Sequence, residues 1–205
     1  MRIGIDFDNT LASYDHLFES LAVERGLIPL GFRGDKKAVR DLLRRRENGE
    51  AAWTRLQAEV YGARMHEAGL IEGAAEFLAA CRHHSAEVFI VSHKTRHAAA
   101  DPDGVDLHHV SLSWMETNGF FDSSGLGLAR DNVFFEPTRQ AKCRRIAMLG
   151  CSHFIDDLEE VFNEPGFPHA ARGVLLCRSG DPVASGRFEA FRNWDAITDA
   201  IFGHG

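Results

Sequence analysis

Residues 3–11 read Ile3-Gly4-Ile5-Asp6-Phe7-Asp8-Asn9-Thr10-Leu11. A short apolar run ends in two carboxylates spaced i, i+2, and a hydroxyl follows two positions later. If Ile3 to Phe7 is a buried strand, its period of two sends Asp6 and Asp8 to the same side. Two carboxylates leaving a buried strand repel each other and call for a cation. The strand end is also where open α/β sheets bind ligands. The arrangement suits an Asp nucleophile, a second Asp as acid and base, and a divalent metal. The plainer reading is a strand that leaves through an Asp-Asn turn into a helix cap, so the rest of the chain has to decide.

The chain has 205 residues, of which 44% are hydrophobic and 26% charged. That is ordinary for a globular protein and allows one large domain, or a core with a modest insertion. The net charge of −7 argues against nucleic acid as the main partner but leaves a small anionic substrate open. No apolar run reaches membrane-spanning length and the N-terminus carries no signal-peptide pattern, so a cytoplasmic protein with no membrane partner is expected. Cys81, Cys143, Cys151 and Cys177 lie far apart with no Cys-x-x-Cys, as expected for reduced, partly buried thiols. The 11 histidines include the adjacent pairs His83-His84 and His108-His109 but no His-Glu-x-x-His. Cys151-x-His153 precedes an apolar strand and reads as packing. The oligomeric state is left open.

Along the chain, residues 13–26 read as a helix with Leu17, Phe18, Leu21 and Ala22 on one face. Pro29, Gly31 and Gly34 interrupt the pattern, and Asp35 can cap a second helix to about Glu47, stopped by Asn48-Gly49. A third helix is expected from about Glu50 to Ala68. Residues 12–72 therefore read as all-helical, with a basic run through Lys36, Lys37, Arg40, Arg44, Arg45 and Arg46. Such a run is ordinarily a solvated helix face.

The pattern then alternates. Helices are expected at 72–84, 106–118 and 142–149. Strands are expected at 86–92, 132–136, 153–155 and 173–177, and an amphipathic terminal helix at 188–202. Alternation of this kind predicts a parallel sheet covered on both faces. The expected fold class is thus α/β, a Rossmann-like parallel sheet with helices on both faces plus a small all-helical subdomain. The core would be 1–11 and 73–205, with 12–72 inserted as a lid. Trp53, Trp114 and Trp194 sit at amphipathic spacing and read as core or interface.

Three further features join Asp6 and Asp8. The strand at 86–92 ends in Ser92, Lys142 opens the helix before the next apolar strand, and that strand ends in Asp156-Asp157. In a parallel sheet these strand ends share one edge. Taken singly, Ser92 is a strand-end hydroxyl, Asp156-Asp157 a helix cap and Lys142 a solvated lysine. Their co-occurrence in this order resembles the haloacid-dehalogenase superfamily. Asp6-Phe7-Asp8-Asn9-Thr10 matches its Asp-x-Asp-x-Thr motif completely. Phe89-Ile90-Val91-Ser92 resembles the second motif, Lys142 the third (with Arg139, Arg144 and Arg145 close by) and Asp156-Asp157 the fourth. The resemblance spans residues 3–158.

The resemblance implies a phosphohydrolase, because the family's dehalogenases lack the second Asp of the first motif and its ion pumps carry Thr there. It implies catalytic roles for Asp6 and Asp8, and phosphate binding by Ser92, Lys142 and Thr10. It also implies a Mg²⁺ site formed by Asp6, the backbone carbonyl of Asp8, Asp156 and Asp157, with Asp157 acting through water or as a partner of Lys142. Residues 12–72 resemble the family's helical caps. The expected partner is a small phosphorylated metabolite hydrolysed through an aspartyl-phosphate. A phosphomutase or phosphotransferase, and a silent phospho-ligand-binding module, share the scaffold and stay open as alternatives.

Overall fold

The computed structural model describes residues 1–178, 180 and 183–203. Six strands form one wholly parallel sheet: β1 (Arg2–Ile5), β4 (Glu87–His93), β5 (Val133–Glu136), β6 (His153–Asp156), β7 (Arg172–Leu176) and β8 (Phe188–Phe191). Their order is β5-β4-β1-β6-β7-β8. The chain leaves β1 on one side to form β4 and returns to its other side with β6. That reversal creates a topological switch point at β1, the place where such sheets open a crevice. Ile5 lies beside Ile90 on one flank and Ile155 on the other.

The sheet's two faces are both buried. Phe89 and Val91 of β4 and Phe154 of β6 pack with Cys143 and Ile146 of α6 (Arg139–Leu149) and with Phe162 of α7 (Glu159–Phe162). Ile90, pointing the other way, is also fully buried. Phe77 of α4 (Ala74–His83) and Trp194 of α8 (Trp194–Phe202) meet with ring centroids 4.7 Å apart. Cys81, Cys143 and Cys151 are buried free thiols, and Cys177 is half-buried. Trp53, Trp114 and Trp194 are all buried.

The chain divides into two compact units. One comprises Met1–Ala12, Leu70–Thr95 and Met115–Gly205, and the other Ser13–Gly69 with Arg96–Trp114. Two short strands, β2 (Ala12–Ser13) and β3 (Gly69–Leu70), pair where the chain passes from one unit to the other. The second unit holds α1 (Asp15–Glu24), α2 (Lys36–Arg44), α3 (Gly49–Tyr61) and most of α5 (Leu107–Thr117). Asp35 caps α2 by accepting from the Ala38 N–H at 2.8 Å. Inside this unit Phe18 stacks on Trp53 and Trp114 Nε1 donates to the Ala68 carbonyl. That bond helps tie 96–114, which the sequence reading left outside the insert, to the helices of 13–69.

Three local boundaries differ from expectation. Residues 188–202 are not one helix. Phe188, Phe191, Trp194 and Ile197 recur every three residues and imitate a helical stripe, but Asn193 accepts from Ala196 N–H and starts α8 there, leaving Phe188–Phe191 to pair with β7. α6 begins three residues before Lys142, because Thr138 accepts from the Ala141 N–H and caps it. α3 stops at Tyr61, where Gly62 leaves the helical region with ψ −101°, and only a short 3₁₀ turn, Met65–Glu67, follows.

One glycine is required by packing at the heart of the sheet. A Cβ on Gly4 would stand 2.5 Å from the Phe154 ring and 3.1 Å from Cys151 Sγ, both buried. Gly4→Ala must push β1 and β6 apart or force Phe154 off its rotamer. It is expected to cost about 1–3 kcal/mol in urea unfolding, the usual penalty for overpacking a core. A midpoint unchanged from the parent protein would contradict this account of the β1–β6 contact.

Candidate active site

All of the site's side chains belong to the sheet unit: Asp6, Asp8, Thr10, Ser92, Lys94, Asp156 and Asp157 lie at the C-terminal ends of the adjacent strands β1, β4 and β6, and Lys142 comes from α6. The backbone sets the arrangement before any side chain does. Asp6 N–H donates to the Ile155 carbonyl at 2.8 Å, which seats Asp6 directly beside Asp156. The chain then turns sharply. Leu11 and Ala12 N–H both donate to the Phe7 carbonyl, and Asn9 N–H donates to that of Ala12. Asn9 takes φ +60°, a left-handed conformation that Asn tolerates better than most residues. Trp194 Nε1 donates to the Thr10 carbonyl at 3.1 Å and clamps the turn to α8.

Lys142 sits in the first turn of α6, buried to 2% exposure. Its Nζ donates to Asp6 Oδ1 at 2.5 Å and to Asp156 Oδ2 at 2.6 Å. The second Asp156 oxygen accepts the Leu158 N–H, so this residue serves both the ion pair and the turn before α7. The other basic side chains near the start of α6 point elsewhere: Arg139 pairs with Glu164 and Arg145 with Glu136. Among these it is Lys142 that meets the carboxylates. Burial disfavours its ammonium, but Asp156 and Asp6 outweigh that effect and hold its proton above the usual lysine range. Burial likewise raises the Asp6 carboxyl above the usual range, with Lys142 opposing and Asp156 and Asp8 adding to the shift.

A second ammonium was not foreseen as a site residue. Lys94, two positions past Ser92, is 5% exposed, and its Nζ lies 3.0 Å from Asp8 Oδ1 and 2.9 Å from Oδ2. The signal was present in the sequence: a Lys leaving the same sheet edge as the acidic pairs. Ser92 itself is buried at the end of β4. Thr10 is fully buried too, and its hydroxyl is the one buried side-chain polar atom without a hydrogen-bond partner among the described residues.

Carboxylate oxygens of Asp6, Asp156 and Asp157 lie within 4.8 Å of one another, the one group of potential metal-ligating side chains so clustered among the described residues. The Asp8 carboxylate is not in that group; it turns to Lys94. Asp6, Asp156 and Asp157 offer carboxylate oxygens to one small volume, with Lys142 between the first two. Hard oxygen donors so clustered fit a divalent cation such as Mg²⁺. Cys151 packs in the core, and Cys151-x-His153 forms no such group. No helix of the described residues is long and apolar enough to cross a membrane.

No protein-family model matches the sequence. No curated protein matches it either. Solved structures do match over nearly its whole length. A putative HAD hydrolase from Bacillus subtilis, solved with magnesium, superposes with a TM-score of 0.57 at 14% identity, covering 98% of each chain. A HAD-family hydrolase from Deinococcus radiodurans, solved with phosphate and sodium, gives 0.54 at 18% identity, covering 98% of this chain and 94% of that one. An L-2-haloacid dehalogenase gives 0.50 at 14% identity over 98% and 97%. The chain therefore has the α/β fold of the haloacid-dehalogenase-superfamily hydrolases.

Two outcomes follow from the cluster. Lys142→Met strands Asp6 and Asp156 as buried, uncompensated carboxylates and is expected to cost about 3–5 kcal/mol in denaturant unfolding without divalent cations. Thr10→Val removes a hydroxyl that bonds to nothing and keeps its shape, so its unfolding free energy should stay within about 1 kcal/mol of the parent. A large loss for Thr10→Val would mean that the hydroxyl has a structural partner.

Proposed function

We propose that this protein is a Mg²⁺-dependent phosphomonoester hydrolase acting on a small phosphorylated metabolite through an aspartyl-phosphate. One observation carries the reading: the carboxylates of Asp6 and Asp8, two residues apart at the switch point of the sheet, each have their own buried ammonium. Phosphoryl transfer asks for an in-line nucleophile, a proton for the leaving oxygen and positive charge around the phosphoryl group. Asp8 weighs against the dehalogenase reading, since the dehalogenases that the sequence resembles lack that second Asp.

Asp6 would attack phosphorus, forming a new O–P bond as the ester O–P bond breaks. Lys142, fixed to Asp6 and Asp156, holds the nucleophile's carboxylate in one orientation. Asp8, whose side chain is 21% exposed, would take up a proton from solvent, give it to the departing alkoxide and then take one from the water that opens the aspartyl-phosphate. Ser92, Thr10 and Lys142 would bind phosphoryl oxygens, and the Thr10 hydroxyl, lacking any protein partner, is suited to that duty. Asp6, Asp156 and Asp157, with the Asp8 carbonyl oxygen, would hold Mg²⁺, which when bound neutralises charge on the phosphoryl group.

The inserted helices are read as the cap that selects the leaving group. Their basic side chains already have partners within that unit: Arg33 pairs with Glu19, Arg40 with Asp41, and Lys36 Nζ donates to the Tyr61 hydroxyl. Lys37 is exposed. A substrate-binding contact by one of Arg33, Lys36, Lys37 or Arg40 should appear as a raised KM with kcat retained when that residue is neutralised.

The purified protein should hydrolyse 4-nitrophenyl phosphate with Mg²⁺ and lose that activity in EDTA. Asp6→Asn should abolish turnover, by about 10³-fold or more, while circular dichroism reports an intact fold. Near-normal turnover by Asp6→Asn would remove the covalent mechanism. Saturating Mg²⁺ should raise the parent protein's thermal midpoint, equivalent to about 2.7 kcal/mol at a hundred times Kd. Asp156→Asn should lose that gain.

A further inference from the structure

We propose that Lys94 is a positioning residue that aims the Asp8 carboxylate at the leaving oxygen, an inference that rests on the phosphomonoesterase reading. Lys94 stands just past the end of β4. Its N–H donates to the Glu136 carbonyl at 3.0 Å, which fixes its backbone to the end of β5. The side chain is buried, with Nζ 5.4 Å from the centroid of the Phe7 ring. From there the ammonium reaches both oxygens of Asp8, at 3.0 and 2.9 Å. Asp8, in contrast, lies beyond the regular strand, in the tight turn that contains the left-handed Asn9, and its side chain is 21% exposed.

A carboxylate at the lip of a turn has several staggered positions open to it. An ammonium straddling both oxygens selects one. Proton transfer to a leaving group depends steeply on such placement, and a misplacement of about 1 Å can cost about 10²-fold. The two lysines divide the work: Lys142 serves Asp6 and Asp156 from a helix, and Lys94 serves Asp8 from a neighbouring strand end. The competing role is direct contact with the phosphoryl group. The two roles differ in what happens once Asp8 can no longer transfer a proton.

The test compares the parent, Lys94→Met, Asp8→Asn and the double variant, all with Mg²⁺, on 4-nitrophenyl phosphate and phenyl phosphate. The second has the poorer leaving group and depends more on a proton donor. Lys94→Met should lower kcat on phenyl phosphate by about 10–100-fold and on 4-nitrophenyl phosphate by much less, with KM unchanged on both. In the Asp8→Asn background it should change kcat by less than about threefold, because the group it acts through is gone. Lys94→Arg should recover part of the loss. Thermal melts check folding, and Lys94→Gln replaces Lys94→Met if the latter does not fold. An equal fall on both substrates, a raised KM, or an undiminished effect beside Asp8→Asn would overturn the positioning role and assign Lys94 to the phosphoryl group. An active parent with no response to Lys94→Met overturns this inference alone. A parent inert on both substrates overturns the phosphomonoesterase reading and this inference together.

Discussion

Asp6 and Asp156 can be buried side by side because Lys142 lies between them. Two carboxylates removed from water at this distance cannot both stay charged unaided. A single ammonium 2.5 and 2.6 Å away makes the arrangement tolerable, and its geometry constrains three elements at once. β1 and β6 must be neighbours, so that Asp6 meets Asp156. α6 must start at Arg139, capped by Thr138, so that its fourth residue, Lys142, reaches over the strand ends. Such a group is a poor source of stability, since an apolar trio could pack there with no desolvation cost.

The same edge holds a second pair built on different principles. Lys142 comes from a helix packed on the sheet through Cys143 and Ile146, whereas Lys94 is a direct continuation of β4. The turn carrying Asp8 is held from below by Trp194 through the Thr10 carbonyl, and from the side by Lys94. Asp6 lies deeper and is almost wholly enclosed, while Asp8 keeps contact with solvent. A nucleophile gains from enclosure and a proton carrier from access to water, so the difference in burial between Asp6 and Asp8 suits the two roles proposed for them.

Much of this was readable before any coordinates. The apolar run into Asp6-Phe7-Asp8, and its echo in Phe154-Ile155-Asp156-Asp157, identify strands by length and identify an edge by their shared acidic exits. Asp35 is a cap in the sequence and in the structure. What escaped was non-local. Phe188 and Phe191 repeat at a spacing that suits a helix, and only the vacant edge of β7 makes them a strand. Residues 96–114 carry no mark of belonging with the inserted helices; the bond from Trp114 to Ala68 joins positions 46 apart. Lys94 follows Ser92 at the same strand exit, but a lone lysine there carries no mark of a site. Its burial depends on Asp8, 86 residues earlier.

The position of β1 in the middle of the sheet also bears on the order in which this protein can be made. The first strand synthesised pairs with strands about 85 and 150 residues further along the chain, Arg2 lying opposite Glu87 and Ile3 opposite His153. Parallel pairing over such separations is slow, because the loop-closure entropy is lost well before the contacts repay it. While a ribosome extends the chain, Ile3 and Ile5 have no permanent neighbours until residue 90 has emerged, and Asp6 has no Asp156 beside it until three quarters of the protein exists. The helices of 13–69 face a shorter delay, since all three lie within one stretch of the chain that ends before β4 begins. During synthesis the helices of 13–69 can therefore meet one another while β1 is still waiting, whereas 96–114, which completes their unit, joins only after β4 has emerged.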